Sequence, residues 1–421
     1  MISIIKVLKN KNFRFLWIGQ LISQFGDCLG VMALIGLVGS QFSASSIQYA
    51  KLIFFVIIPV FVVGPIAGIC VDRWDRRRVM ITCDIIRGIL ILLIPLLLYL
   101  GTQMFLVYIC VFLIYSSTRF FLPSKLAIIP QLVPGEKLLM ANSLTTTSRT
   151  FALIFSVAIA GVLVKLIGWR VSFYTDAATY FISAVFISMI DLKDVIKELK
   201  DDISITKDVL KDARGKQFIA EAKEGISYLL ANEEIKRIAY VFFALMSGIG
   251  GLSAVLIVFI QKNFGTTTAH LGLFASFLAL GTLLGSLLYG KFGNVVSKSK
   301  VIFSSFLLDG VFLVVFSKLT VVYASITFTA MMSLLLGLIS APIIIGLYTS
   351  LHQRLPNELR GKIFSAIEMV IHVGFLVFMF LAAWIAEYIQ EVGVMMGVGV
   401  FFAACGIYGL IKLPIDIKKI G

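Results

Sequence analysis

The chain has 421 residues, of which 59% are hydrophobic and 14% charged, with a formal net charge of +14 and a mean hydropathy of +0.99. Soluble domains run nearer ~45–50% apolar and ~25% charged. No soluble interior of this length could hide so much apolar surface, so lipid must be the solvent. The basic excess sits in short clusters between apolar runs, where it sets membrane topology, and this argues against a nucleic-acid partner.

Lys6, Lys9, Lys11 and Arg14 precede an apolar stretch too long for a signal-peptide core, and no small-x-small cleavage site follows. It reads as a retained first helix. Runs long enough to cross a ~30 Å hydrocarbon core at ~1.5 Å per residue recur from there onward. They cover 13–39, 47–71, 79–100, 103–123, 141–167, 171–190, 238–260, 271–293, 301–318, 321–347, 366–385 and 392–412. Kinks are expected at Pro123 and Pro342, near the ends of the fourth and tenth runs. The five cysteines (Cys28, Cys70, Cys83, Cys110 and Cys405) lie in or beside these runs without ligand-like pairing, so no metal site is expected.

An even number of crossings places both termini on one side. With a cytoplasmic N-terminus, the inside segments hold 29 of the 37 basic residues. The outside connections then hold only Lys51, Lys165, Arg170, Lys262 and Lys318, which fixes the expected orientation. The long polar stretch 191–237 divides the runs six and six. It is expected to be a cytoplasmic linker between an N-terminal bundle, 1–190, and a C-terminal bundle, 238–421. The halves resemble each other: Leu132-Val133-Pro134-Gly135-Glu136-Lys137-Leu138 matches Arg354-Leu355-Pro356-Asn357-Glu358-Leu359-Arg360, and the same 222-residue offset lays Gly68 on Gly290. The fold expected is therefore all-α, with twelve transmembrane helices in two six-helix bundles related by a pseudo-two-fold axis along the membrane normal.

The most specific local signal is Gly68-Ile69-Cys70-Val71-Asp72-Arg73-Trp74-Asp75-Arg76-Arg77-Arg78. It resembles the cytoplasmic loop signature of the major facilitator superfamily, G-x-x-x-D-R-x-G-R-R/K-R, with Asp75 in place of the second glycine. The resemblance implies that Gly68 allows close helix approach, while Asp72, Arg73, Arg76, Arg77 and Arg78 form a gating latch that breaks during transport. A basic run that only enforces topology is the simpler alternative. Phe121-Leu122-Pro123-Ser124-Lys125, Ala141-Asn142-Ser143-Leu144, Tyr174-Thr175-Asp176-Ala177-Ala178-Thr179-Tyr180 and Glu224-Gly225-Ile226-Ser227-Tyr228-Leu229 are similar to the macrolide-efflux and siderophore-exporter branch. In the C-terminal half the likeness rests on Pro356-Asn357-Glu358-Leu359-Arg360-Gly361-Lys362. Phe155-Ser156-Val157-Ala158-Ile159-Ala160-Gly161 lacks the Gly-Pro step of drug/proton antiporters, which weakens the implication of proton antiport.

Charges inside a bilayer cost ~2.5–3.5 kcal/mol each on insertion scales, so they face a cavity or a partner. Asp27, midway along the first run, is the leading candidate for a proton- or substrate-binding carboxylate; permanent pairing with an arginine is the alternative. Asp84 and Arg87 share one helix face, and with Arg119 and Arg149 they are expected to form a buried charge network. Asp176 reads as structural. In the second half the polar candidates are Asp309 and the i,i+4 pair Glu368 and His372, as a proton relay or as a satisfied hydrogen bond.

The expected function is secondary active export of an amphipathic organic compound (drug-, macrolide- or siderophore-like) by proton antiport and alternating access. It needs no cofactor beyond a proton gradient. The chain is expected to act as a monomer in a prokaryotic cytoplasmic membrane. Gln24-Phe25-Gly26-Asp27 and Pro123-Ser124-Lys125 also resemble bacterial lysophospholipid carriers, which makes lysolipid flipping a rival. An integral membrane enzyme is a remote alternative, since no nucleophile–base constellation or metal-ligand cluster occurs, and no G-x-x-x-x-G-K-[ST] loop points to an ATP-driven pump.

Overall fold

A computed structural model describes residues 7–42, 45–71, 74–101, 103–191, 227–292, 297–355 and 360–412. Helix covers each expected apolar run, and no strand occurs among the described residues. In chain order the helices are α1 (Lys11–Gln41), α2 (Ser46–Ile57), α3 (Pro59–Val62), α4 (Gly64–Val71), α5 (Arg76–Tyr99), α6 (Met104–Leu132), α7 (Gly135–Ser188), α8 (Glu233–Phe264), α9 (Thr267–Phe292), α10 (Lys298–Tyr323), α11 (Ile326–Arg354) and α12 (Arg360–Lys412). Nine helices among the described residues are long and apolar enough to cross a membrane. Two of these are double: α7 turns at Gly168 and α12 at Gln390, so each supplies two stretches. Such closed backbone hydrogen bonding is what a bilayer demands, since lipid offers no partner to a free amide.

Local chemistry explains where helices begin and bend. Asp75 caps α5 by accepting from the Arg78 amide at 2.7 Å, and Asn232 caps α8 through the amides of Glu234 and Ile235. Pro59, which has no amide hydrogen, breaks the second run after Ile58. Pro123 and Pro342, by contrast, end nothing: α6 runs on to Leu132 and α11 to Arg354. Around Pro342 a neighbour makes this possible. Gly285 of α9 lies against the Leu338 carbonyl that Pro342 deprives of its helical partner; a Cβ there would stand 2.5 Å from that oxygen. Gly281, one turn away, packs as closely on Leu334, so α9 and α11 meet along a small-xxx-small seam.

The chain divides into two compact units, Met1–Leu37 with Phe54–Phe218, and Val38–Ile53 with Ile219–Gly421. Within the first, α5 packs on α6 and α7; within the second, α8 and α10 pack on α12, and α9 on α11. The segment Val38–Ile53 joins the second unit although it precedes the linker, and its Tyr49, 1% exposed, donates to Gln261 Oε1 at 3.2 Å. Most of the expected linker, 192–226, lies outside the described residues. Outward-facing side chains are large and apolar, among them Ile89, Leu96, Phe155, Leu166, Val377 and Ile411, as expected where hydrocarbon is the solvent.

Candidate functional site

The first unit gathers polar side chains from α1, α5, α6 and the second stretch of α7. Asp84 (0% exposed) accepts a hydrogen bond from Arg87 Nη2. Arg87, itself 3% exposed, is sandwiched by rings, with its guanidinium carbon 4.4 Å from the centroids of both Phe121 and Tyr180. A flat cation between two π faces keeps its charge stabilised without water. The other end of Tyr180 completes the chain of contacts: its hydroxyl donates to Asp27 Oδ1. Asp27 is thus held by an aromatic hydroxyl that leans on Arg87, and Arg87 makes its ion pair with Asp84 instead.

Asp27 and Tyr180 line a cavity of about 160 Å³ together with Asp176, Tyr115 and Thr118. Asp176, expected to be structural, faces Asp27 here. Gly26 and Gly30 on α1 make room for its carboxyl group, since a Cβ at Gly30 would lie 2.2 Å from Asp176 Oδ2. Asp176, Thr179 and Tyr180 stand at i, i+3 and i+4, so one face of α7 presents all three to α1. That spacing is the sequence signal that could have identified Tyr180 as a site residue.

Arg119 is half-buried on α6, one turn from Tyr115. Arg149 does not join a buried network; it is exposed. Ser148 is the residue that turns inward, accepting from Trp17 Nε1 at 3.0 Å, and the next residue points ~100° away around the helix. A buried cation the sequence reading passed over is Lys125, 6% exposed, which sits with Gln20, Gln24, Thr145 and Ser148. None of the ion pairs among the described residues includes it. A lysine inside an apolar run was signal enough.

In the loop signature, Asp72 and Arg73 lie outside the described residues, and Gly68 falls in α4. Two of the arginines that follow bond backbone carbonyls in their own unit. Arg76 Nη1 donates to the Ala127 carbonyl at 3.0 Å, and Arg77 donates to the carbonyls of Ile187, at 3.2 Å, and Ser188. The Arg77 acceptors lie in the last turn of α7, where carbonyls have no intrahelical donor, and the guanidinium supplies one along with a favourable charge. Arg78 borders a lateral groove of about 780 Å³ between α5 and α6, where Trp74 stacks on Phe120.

The second unit is poorer in buried charge among the described residues. Asp309 is 3% exposed in α10, with Ser340 of α11 facing its carboxyl group. His372 Nδ1 lies 2.7 Å from the Glu368 backbone carbonyl oxygen, and the Glu368 side chain is exposed. The i,i+4 contact is therefore made through the backbone. An ion pair that the sequence reading did not single out joins the exposed Lys262 to the buried Glu391 at 2.8 Å.

The sequence profile of the Major Facilitator Superfamily matches residues 16–258 and 238–420. Macrolide efflux protein A of Streptococcus pyogenes is 26% identical over 380 residues, 89% of each chain. The uncharacterized MFS-type transporter YkuC of Bacillus subtilis is 28% identical over 298 residues, 69% of this chain and 66% of that one. The putative bacilysin exporter BacE of the same species is 24% identical over 362 residues, 85% of this chain and 84% of its own. Among solved structures, a bacterial homologue of the iron transporter ferroportin superposes with a TM-score of 0.73 at 15% identity, covering 94% of this chain and 98% of that one. A bacterial homologue of the lysosomal transporter Spinster does so at 0.67 and 13%, covering 98% and 96%. With the family profile matched along nearly the whole sequence, and helices of membrane-spanning length and apolarity in both units, this chain belongs to the Major Facilitator Superfamily and is a membrane transporter.

Proposed function

We propose that the protein exports an amphipathic organic compound in exchange for protons, with Asp27 as the coupling carboxylate. The observation that carries this is the position of Asp27: half-buried in the middle of α1, on a cavity, and hydrogen-bonded by Tyr180 rather than neutralised by a cation. A carboxylate so placed can exchange a proton as its surroundings change, whereas one locked to an arginine cannot. The names of two relatives, a macrolide efflux protein and a putative bacilysin exporter, support export of organic compounds.

Twelve crossings, cytoplasmic termini and a latch built on residues 68–78 complete this reading, with the protein acting as a monomer in the bacterial cytoplasmic membrane. Alternating access would carry substrate past the polar site of the first unit while the second supplies apolar wall and the polar groups of Asp309, Glu368 and His372. Purified protein in proteoliposomes should drive uptake of a fluorescent amphiphile, counted as export in the cell, under an imposed pH gradient. Asp27→Asn should abolish the pH dependence while leaving ligand binding measurable. Full pH-driven transport by the Asn variant would remove Asp27 from the role.

One observation favours a second reading, lysophospholipid transport. The lateral groove between α5 and α6 has a mainly apolar lining, with Thr82, Ser116 and Ser117 along it, and carries Arg78 beside Asp75 at one end, a guanidinium suited to a lipid phosphate. Transfer of a labelled lysolipid between leaflets by the reconstituted protein, lost in Arg78→Gln, would favour lipid over drug.

A further inference from the structure

Asp176 is 1% exposed, and neither of its carboxyl oxygens has a hydrogen-bond partner among the described residues. None of the ion pairs among those residues includes it either. The Thr179 hydroxyl beside it gives its hydrogen to the Asp176 backbone carbonyl at 2.7 Å. An ionised carboxylate in that position would have only Arg87, already paired with Asp84, and the Thr179 hydroxyl, already given to the backbone, to set against its desolvation. A protonated carboxyl group meets no such penalty.

The groups facing Asp176 point the same way. From α1 come Asp27 and Cys28, from α5 Arg87, from α6 Tyr115, and from its own helix Thr179 and Tyr180. Arg87 is the one cation in this set, and its ion pair is with Asp84. Three carboxyl groups surround this one guanidinium, the next cations being Arg119 beside Tyr115 and Lys125 on the Asp27 side, and Asp27 is the acid that receives the Tyr180 hydrogen bond. On the α1 side the Asp176 oxygens press on Gly26 and Gly30, where a Cβ would come within 2.6 and 2.2 Å of them. No hydrated ion fits on that flank. The remaining side opens on the 160 Å³ cavity, which has room for a few waters, at ~30 Å³ each, between the two acids.

From this arrangement we infer that Asp176 is a second proton-binding group, forming with Asp27 a carboxyl pair that holds one proton at rest and two when loaded. In the resting state Asp176 carries the proton and Asp27 is the anion. Loading adds one proton from water to Asp27, and unloading returns it to water; no other bond is made or broken. Two like charges at short range do not both persist in a site of low polarity, so the two acids carry one negative charge between them at rest. The inference deepens the proton-antiport reading and rests on it for its role in transport, but not for the protonation itself.

Difference infrared spectroscopy of the purified protein near neutral pH tests this directly, because a neutral carboxyl group has a carbonyl stretch well separated from that of a carboxylate. The wild type should show such a band. Asp176→Asn should lose it while keeping the wild-type melting temperature, since a neutral amide replaces a neutral acid of the same shape. In Asp27→Asn the band should remain and shift in frequency. A band untouched by Asp176→Asn would overturn the inference, as would an Asp176→Asn protein that no longer folds. A melting temperature that rises with sodium chloride, relative to choline chloride, in wild type but not in Asp176→Asn would also overturn it, by making the pair a cation site. None of these readouts needs a substrate. Failure of pH-driven export with an intact band would count against the antiport reading alone.

Discussion

Gly88 of the first unit packs against Phe181, and Gly310 of the second, 222 residues further on, packs against Ala403, the counterpart of Phe181. Gly26 and Gly248 repeat the relation, one meeting Thr179 and Asp176 and the other the ring of Phe402. The turns match as well: Gly168 has φ 80°, ψ 160° and Gln390 has φ 64°, ψ 164°, again at the same separation. Yet the side chains filling the shared slots differ in kind. Arg87 corresponds to Asp309, Asp84 to Phe306, Lys125 to Leu347, Asp176 to Val398 and Tyr180 to Phe402. Backbone approach and turn geometry have thus been kept by both copies, while the linked charges of the site sit in one. The architecture depends on where small residues stand, and the chemistry can be rewritten around it.

The largest effect should come from breaking the charged slot. Arg87→Leu leaves Asp84, 0% exposed, without its counter-ion, and should cost ~3–5 kcal/mol in unfolding of the detergent-solubilised protein. Adding Asp84→Leu should recover most of it, as in the second unit, where Phe306 stands in the Asp84 slot. A double variant as unstable as the single would mean that the slots are not equivalent.

The glycine contacts offer a smaller and more discriminating test. A Cβ at Gly310 would sit 2.3 Å from the Ala403 amide nitrogen, which is backbone and cannot swing aside. Gly310→Ala should therefore cost ~1–3 kcal/mol. At Gly88 the obstacle is the tip of the Phe181 ring, 2.8 Å away, and ring movement should hold Gly88→Ala to the lower end of that range. Equal losses in thermal unfolding would contradict the difference in packing.

The smallest effect has the opposite sign. Gln390 occupies a backbone region essentially reserved for glycine, so Gln390→Gly should stabilise the protein by about 1 kcal/mol. Gly168→Gln should lose a similar amount. A Gln390→Gly protein with a lower melting temperature would show that the side chain holds its turn together by contacts worth more than the strain.

How much of this could be read from the chain differs by level. Helix placement was legible because twenty apolar residues in a row admit one solution in lipid. That α11 runs on past Pro342 could not be foreseen, because Gly285, which packs on the Leu338 carbonyl, lies on another helix. Asp27, Asp84 and Arg87 stood out as charges in apolar surroundings, but the contact that ties Asp27 to the Asp84–Arg87 pair is Tyr180, one aromatic among many. Arg149 illustrates the limit of depth arguments: sharing a level in the membrane does not say which way a side chain turns. The arginines after Asp75 were recognisable as a motif, but their partners, carbonyls 51 to 111 residues away, were not.

Those carbonyl partners also set an order of events during synthesis. Ile187 follows Arg77 by 110 residues, so at ~5–20 residues per second the donor waits on the order of ten seconds for its acceptor. The grip on the end of α7 is then a late contact, made only once the last stretch of the first unit has been synthesised.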